Sequence, residues 1–216
     1  MKRPVIALGV TLLLLGPILA LAVLSGRGSS SPPVAANATS AGPYRGSKPP
    51  GRISMPEFTL RDNFETKLDS RNLRGKVVIL TFLDSHCTAA CPIIASQIAQ
   101  TLRRLTPAQR RQVEAVAISS DPVTDTPAAV RSFLAKQQAL GKLRYLGASE
   151  PVGHLKTIWR AFDILASAET GQHTVHSAPV RIYDRAGIWV STLHAGADLS
   201  ITNLSHDVRT ALSRSN

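Results

Sequence analysis

The stretch of sequence that decides the fold runs from Gly75 to Pro92 and reads GKVVILTFLDSHCTAACP. Val77 to Leu83 is a continuous apolar run of strand length, which is typical of a strand covered on both faces. A polar segment follows, and beyond it apolar residues recur at helical spacing. This stretch therefore predicts a buried strand, a loop that carries Cys87 and Cys91, and a helix.

Elements of the same kind flank this unit on both sides. A short hairpin is expected around Asp62-Asn63, and strands alternate with helices after the unit until a second hairpin and a last helix. This alternation predicts an α/β sandwich with a mixed central sheet, an N-terminal hairpin and right-handed crossovers. The further predicted strands are Val113–Ile118, Leu143–Leu146, Val180–Asp184 and Ile188–Leu193, and the further helices are Pro127 to about Gln138, Val152–Phe162 and Ile201–Ser213.

The positive charge of the chain is concentrated outside the predicted folded part. The 216 residues include 25 Lys and Arg against 14 Asp and Glu, a formal net charge of +11. No acidic residue precedes Glu57, so residues 57–216 hold 19 basic and 14 acidic side chains, a net charge of +5. No nucleic-acid-binding motif accompanies this charge, and no nucleic-acid partner is expected. Two cysteines are also too few for a disulfide-rich scaffold or a four-cysteine zinc site.

The N-terminus carries a run that is long enough to cross a membrane. Pro4 to Leu24 contains no charged residue and directly follows Lys2 and Arg3. About 20 apolar residues span the hydrocarbon core of a bilayer, and basic residues stay on the cytoplasmic side. We expect residues 1–26 to be an uncleaved transmembrane signal anchor, with a signal peptide cleaved after Ala20-Leu21-Ala22 as the alternative.

The composition changes after this run. Ser, Gly, Pro and Ala dominate residues 27–56, which is typical of a flexible tether. Residues 57–216 are long enough for one well-buried domain. The expected protein is therefore a single-pass protein of the cytoplasmic membrane whose folded domain lies on the extracytoplasmic side.

The two cysteines stand four residues apart, where the buried strand gives way to a helix. Residues at this spacing lie on one helical face, so Cys87 and Cys91 can bind one metal ion or close a small disulfide. The free N–H groups at a helix N-terminus favour a thiolate at Cys87. Inert buried cysteines are the structural alternative, but outside the cytoplasm thiols are exposed to oxidation, which favours chemistry.

A histidine would complete a metal site with these two sulfurs. Zinc prefers four ligands, whereas soft thiolates select copper(I), and two sulfurs with one imidazole satisfy a three-coordinate copper site. His176 lies at a boundary between a loop and a strand, as does His173, and the residues alone do not choose between them. The six candidates are His86, His154, His173, His176, His194 and His206.

Four motifs together resemble the Sco/SenC family. They are Gly75-Lys76-Val77-Val78 before a strand, Cys-x-x-x-Cys-Pro at Cys87–Pro92, Asp121-Pro122-x-x-Asp125-Thr126-Pro127, and His176-Ser177 before a strand that ends in Asp184. The resemblance implies a thioredoxin-like fold and a bound copper ion with Cys87, Cys91 and His176 as ligands. It also implies copper delivery and thiol redox work for a client protein, a subunit of cytochrome c oxidase.

The chain departs from the family pattern at two places. Thr88-Ala89-Ala90 stands between the cysteines, where the family usually has Cys-Pro after the first cysteine followed by an acidic residue. Val175 replaces the family's Asp before the histidine. The missing carboxylate removes an expected partner of the imidazole or thiolate, which affects copper affinity or redox potential.

Two functions are expected on these grounds. The first is a membrane-tethered copper metallochaperone, which hands copper on by ligand exchange. The second is a thiol-disulfide oxidoreductase, in which Cys87 attacks and Cys91 resolves. A peroxidase is disfavoured because Leu83 stands where its motif needs Thr.

Other singled-out residues are given structural roles. We expect Asp121 and Asp125 to serve mainly in turn and capping chemistry, and Trp159 and Trp189 to pack.

Overall fold

The computed structural model describes residues 42–166, 168 and 176–214. The predicted membrane helix and residues 27–41 of the predicted tether lie outside this range. Within the described residues, no helix has the length and apolar character needed to cross a membrane.

The described residues form seven strands and five α-helices. The strands are β1 (Thr59–Arg61), β2 (Lys67–Asp69), β3 (Val77–Leu83), β4 (Val113–Ser119), β5 (Arg144–Leu146), β6 (Val180–Tyr183) and β7 (Trp189–Leu193). The helices are α1 (Ala90–Arg103), α2 (Pro107–Arg111), α3 (Pro127–Lys136), α4 (Val152–Ala161) and α5 (Ile201–Ser213). A 3₁₀ turn at Ser70–Leu73 follows β2.

The central sheet is mixed, as the sequence predicts. Its five strands lie in the order β5-β4-β3-β6-β7. β3 and β5 each run parallel to β4, whereas β6 is antiparallel to β3 and to β7. β1 and β2 form the separate antiparallel hairpin expected before the sheet.

The strand β3 separates two apolar layers by alternation of its side chains. Val77, Ile79 and Leu83 face one cluster, which α1, α3 and α5 help to form. Val78, Leu80 and Phe82 face the other cluster, which the β1–β2 hairpin and α4 help to form. Every residue of β3 is buried, which confirms the predicted strand covered on both faces.

The helix α3 begins as its sequence predicts, with one change. Pro127 occupies its first turn, where a missing N–H costs nothing. The N-cap is Thr126, whose hydroxyl accepts a hydrogen bond from the Ala129 N–H at 3.2 Å. Asp125 does not cap the helix through its side chain, which instead accepts the Ser85 N–H in the loop before Cys87.

Residues 42–56, here called the strap, belong to the stretch predicted as tether but lie against the outer edge of β7. The Ser47 N–H donates to the Thr192 carbonyl oxygen at 2.8 Å, and the Thr192 N–H donates back at 3.0 Å. The Trp189 N–H donates to the carbonyl oxygen of Ile53 at 2.9 Å. Main-chain hydrogen bonds of this kind need no apolar periodicity, so the composition of the strap did not reveal them.

Candidate metal and thiol site

The topology of the sheet brings the two cysteines and His176 to one edge, namely the one at which β3 ends and β6 begins. Cys87 lies in the loop that follows β3, and Cys91 lies in the first turn of α1. Because β6 is antiparallel to β3, the start of β6 lies at the edge where β3 ends. His176 stands four residues before β6 and therefore reaches the same edge.

The three side chains form one compact cluster. One ligand atom from each of Cys87, Cys91 and His176 lies within 4.8 Å of the other two. Nε2 of His176 is 3.4 Å from Sγ of Cys91. Cys91 is fully buried and Cys87 is partly exposed, and both are free thiols. Solvent or a partner therefore meets Cys87 first.

The surroundings of Cys87 favour its thiolate. The pKa of Cys87 is lowered to about 4, chiefly by a hydrogen bond from the Cys91 thiol to its sulfur. Hydrogen bonds from the backbone N–H groups of Cys91 and Ala89 and from His176 lower it further. No side chain within the described residues caps α1 at Ala89. The sulfur of Cys87 therefore takes the place of a capping oxygen, and the helix N-terminus stabilises its charge.

The pKa of Cys91 is shifted in the opposite direction from that of Cys87. Its hydrogen bond to Cys87, followed by its burial, raises the pKa of the Cys91 thiol far above its ordinary value. The pair therefore combines an accessible thiolate with a protected thiol that donates to it. This division suits an attacking and a resolving cysteine, and displacement of the Cys91 proton by a metal ion suits two-sulfur binding.

Among the described histidines, His176 is the one that joins the cysteines. Its Nδ1 is buried and has no hydrogen-bond partner among the described residues, in keeping with the absence of an acidic residue at position 175. The other described histidines lie near acidic side chains: His86 near Asp84, His154 near Glu150, His194 near Asp198 and His206 near Asp207. His173 and Val175 lie outside the described residues.

A buried carboxylate supports the loop that carries Cys87. Asp125 accepts hydrogen bonds from the Ser85 N–H at 2.8 Å, the Ser119 hydroxyl at 2.6 Å and the Tyr145 hydroxyl at 2.5 Å. The Tyr145 hydroxyl also lies 2.6 Å from the Leu83 carbonyl oxygen. The cysteine loop, the end of β4 and Tyr145 of β5 are thus tied to the Asp125 side chain. Burial raises the pKa of Asp125.

A second carboxylate shapes the same loop. Asp84 is 1 % exposed, and its Oδ1 accepts the His86 N–H at 2.7 Å. Its carbonyl oxygen accepts the Cys87 N–H at 3.2 Å, and burial raises its pKa. Neither supporting role was predicted from the sequence, although the Asp121–Pro127 motif marked the position of Asp125.

The donor set decides which chemistry the cluster can perform. Two sulfurs and an imidazole nitrogen at these separations match the soft ligands that copper(I) prefers. Zinc would need a fourth ligand, and the described residues add none to this cluster. The ligand roles of Cys87, Cys91 and His176 remain a prediction that the geometry fits.

Comparison with known proteins places these features in a family. A family model for SCO1/SenC matches residues 47–213. A putative copper-binding protein of Stutzerimonas stutzeri is 28% identical over 90 residues, which cover 42% of this chain and 44% of that protein. The chain spans less than half the length of the curated relatives it matches.

Solved structures of Sco proteins share the fold. Copper-bound ScoI of Bradyrhizobium japonicum is 23% identical, with a TM-score of 0.61 over 74% of this chain and 99% of that chain. BsSco, a Sco-family cytochrome c oxidase assembly protein in which a disulfide switch was identified, is 19% identical, with a TM-score of 0.62 over 78% of this chain and 99% of that chain. These likenesses confirm the expected thioredoxin-like fold, and the family match over 47–213 establishes that the chain belongs to the SCO1/SenC family.

Proposed function

We propose that this protein is a copper metallochaperone that binds one copper(I) ion through Cys87, Cys91 and His176. The observation that carries the proposal is the convergence of these three ligand atoms within 4.8 Å at the partly exposed edge of the sheet. An edge site allows a partner's ligands to replace those of the chaperone one at a time, which hands the ion on without turnover.

Copper(I) titration of the reduced full-length chain in neutral detergent tests the proposal. We expect one ion per chain, no stoichiometric binding in Cys87→Ser, and affinity at least about tenfold lower in His176→Ala, a loss of about 1.4 kcal/mol or more. His154→Ala is the matched control, because His154 is exposed on α4 and pairs with Glu150 at 3.2 Å. Unchanged binding in both site variants would refute the proposal.

The proposal includes a membrane address and a client. The uncharged run from Pro4 to Leu24 after Lys2 and Arg3 supports a single anchor with the folded domain outside the cytoplasm. Family membership supports a client in cytochrome c oxidase assembly, which we propose to be the oxidase subunit that receives copper. A membrane-impermeant maleimide should label Cys87 in intact spheroplasts; labelling only after lysis would contradict this topology.

A second function is favoured by the contrast between the two thiols. Cys87 is accessible and its pKa is about 4, whereas Cys91 is buried and protonated, as a thiol-disulfide oxidoreductase requires of its attacking and resolving cysteines. In Cys91→Ser, a mixed disulfide between Cys87 and a client cysteine should accumulate. If the wild-type protein does not reduce the disulfide of an oxidised copper-site peptide, and Cys91→Ser forms no mixed disulfide with it, this second role fails.

A further inference from the structure

A groove of about 510 Å³ opens directly beside His176. The loop of residues 176–179 lines it, together with Lys48 of the strap and Trp189 of β7. Arg181 of β6 and His194 also line the groove. A molecule that lies in this groove therefore contacts a predicted metal ligand.

The groove contains a fixed aromatic and cationic pair. The guanidinium of Arg181 lies 4.3 Å from the centroid of the Trp189 ring. The indole N–H of Trp189 points to the Ser191 carbonyl oxygen at 3.0 Å and to the Thr192 hydroxyl at 2.8 Å. Arg181 forms no ion pair within the described part of the chain. Stacked Arg and Trp side chains are the types that dominate binding energy at protein interfaces.

The strap holds a second cation in place at the same groove. The paired hydrogen bonds between Ser47 and Thr192 fix the residue before Lys48, and Lys48 is exposed. A neighbouring cavity of about 490 Å³ also has Lys48 and Trp189 in its walls and adds Arg52 and Arg214. The two cavities are therefore parts of one basic surface that ends at His176.

Few acidic groups oppose these cations. Among the described residues that line the two cavities, the acidic ones are Asp163 and Asp184. Asp184 is buried and accepts the Ile188 N–H at 2.8 Å. Asp163 is therefore the one exposed acidic residue among the described lining residues, which include four cations: Lys48, Arg52, Arg181 and Arg214. A ligand that carries carboxylates is electrostatically matched to this surface.

We infer that this basic groove is the docking site for an extended, carboxylate-bearing segment of the protein that exchanges metal with Cys87, Cys91 and His176. The inference rests on the proposed function, because that function requires a protein partner at His176. A lipid headgroup would fit the charge equally but would gain nothing from the position of the groove beside a metal ligand. Docking there brings the ligands of the partner to the exposed side of the metal site.

The test uses the reduced, metal-free full-length chain in neutral detergent and two dye-labelled synthetic peptides of 12 residues, one alternating Glu and Gly and the other alternating Gln and Gly. Fluorescence anisotropy should show binding of the Glu peptide, weakened by added NaCl, and at least about fivefold weaker binding of the Gln peptide. Lys48→Glu and Arg181→Gln should each weaken binding of the Glu peptide by about fivefold or more. Lys136→Glu is the matched control, because Lys136 is exposed on α3 away from the groove.

Equal affinity for the two peptides, or unchanged affinity in both groove variants, would overturn the inference. Loss of binding to vesicles rich in phosphatidylglycerol in these variants, with no peptide binding in the wild type, would also overturn it in favour of a lipid. Copper(I) titration separates the two proposals: Lys48→Glu should bind copper as the wild type does. If the wild type binds the Glu peptide but no copper, the groove stands and the copper function fails.

Discussion

Two buried aspartates, Asp125 and Asp207, have similar structural roles in two different regions of the molecule. Neither side chain is exposed, and each accepts hydrogen bonds from a serine hydroxyl and from backbone N–H, one such group at Asp125 and two at Asp207. Asp125 holds the cysteine loop through Ser85, whereas Asp207 holds the strap. The same chemistry thus supports the cysteine loop in one region and the strap that lines the groove in the other.

The partners of the two carboxylates differ in their origin. Asp125 joins the end of β4, Tyr145 of β5 and the loop between β3 and α1. Asp207, on α5, accepts the N–H groups of Arg45 and Gly46 at 2.7 and 2.9 Å and the Ser191 hydroxyl at 2.6 Å. Asp207 therefore ties a segment from outside the sheet to β7. We expect the two aspartates to be equally important for stability but not for copper binding.

The largest expected effect comes from removing each carboxylate in turn. Asp125→Ala and Asp207→Ala should each lower the free energy of unfolding by about 3 kcal/mol, because several buried donors lose their acceptor. Copper(I) affinity should fall at least about tenfold in Asp125→Ala and stay unchanged in Asp207→Ala, since Asp125 alone of the two orders the cysteine loop. Urea unfolding and competition with a chromophoric chelator measure the two quantities.

Glu57→Ala is the control for this pair, because Glu57 is exposed. It should change neither stability nor copper affinity. Equal losses of copper affinity in the two aspartate variants would remove the distinction between the regions.

A smaller effect is expected at the close contact between the strap and β7. A Cβ on Gly46 would lie 2.5 Å from the backbone oxygen of Thr192 and would also clash with the Ser191 hydroxyl. Gly46→Ala should therefore lower the free energy of unfolding by about 2 kcal/mol and leave copper affinity unchanged. Gly51→Ala in the same strap is the matched control, because nothing lies within 4 Å of its Cβ position. Equal stability of the two variants would show that the strap shifts freely on β7.

The hydroxyl of Tyr145 should contribute less than the carboxylate that it contacts. Tyr145→Phe removes the hydroxyl that lies within hydrogen-bond distance of both Asp125 and the Leu83 carbonyl oxygen. We expect the free energy of unfolding to fall by about 1.5 kcal/mol. Copper affinity should fall less than in Asp125→Ala, because the bond from Ser85 to Asp125 remains. A loss as large as that of Asp125→Ala would place the anchor at Tyr145 instead.

The charge state of Cys87 in the wild-type protein should depend on pH. Because the pKa of Cys87 in the folded state is about 4, below its ordinary value of 9.0, the thiolate persists until the pH falls through about 4. Its contribution to stability is present in full above pH 9.0 and is lost as the pH falls through about 4. Alkylation of Cys87 by iodoacetamide, followed by mass spectrometry, should be nearly constant between about pH 5 and 8 and decline below that range, while Cys91 stays unmodified.

Two variants, one beside Cys87 and one at the strap, should affect this pH profile of alkylation differently. Cys91→Ala should move the decline towards neutral pH, because the Cys91 thiol is the first cause of the lowered pKa. Asp207→Ala should leave the profile unchanged. A wild-type decline near pH 9 would contradict the predicted thiolate.

Much of the fold follows from local patterns. The apolar run predicts β3 at its observed bounds, Val77–Leu83, and the turn at Asp184–Gly187 predicts the β6–β7 hairpin. The short helix α2 was not predicted, because five residues give no measurable periodicity. The cysteine spacing marked the site, since residues four apart meet on one helical turn whatever the rest of the chain does.

The sequence by itself therefore determined the α/β class, the strand-to-helix junction with its two cysteines, and the charge distribution between the N-terminal part and residues 57–216. The tertiary structure decided which described histidine joins the cysteines, because only the antiparallel pairing of β3 and β6 brings His176 to that edge. It also decided that Asp125 and Asp207 are anchors and that the strap lines a groove. These features depend on contacts between residues far apart in the chain, such as Ser85 with Asp125, 40 positions away, and Arg45 with Asp207, 162 positions away. No local pattern of hydrophobicity or spacing encodes such pairs.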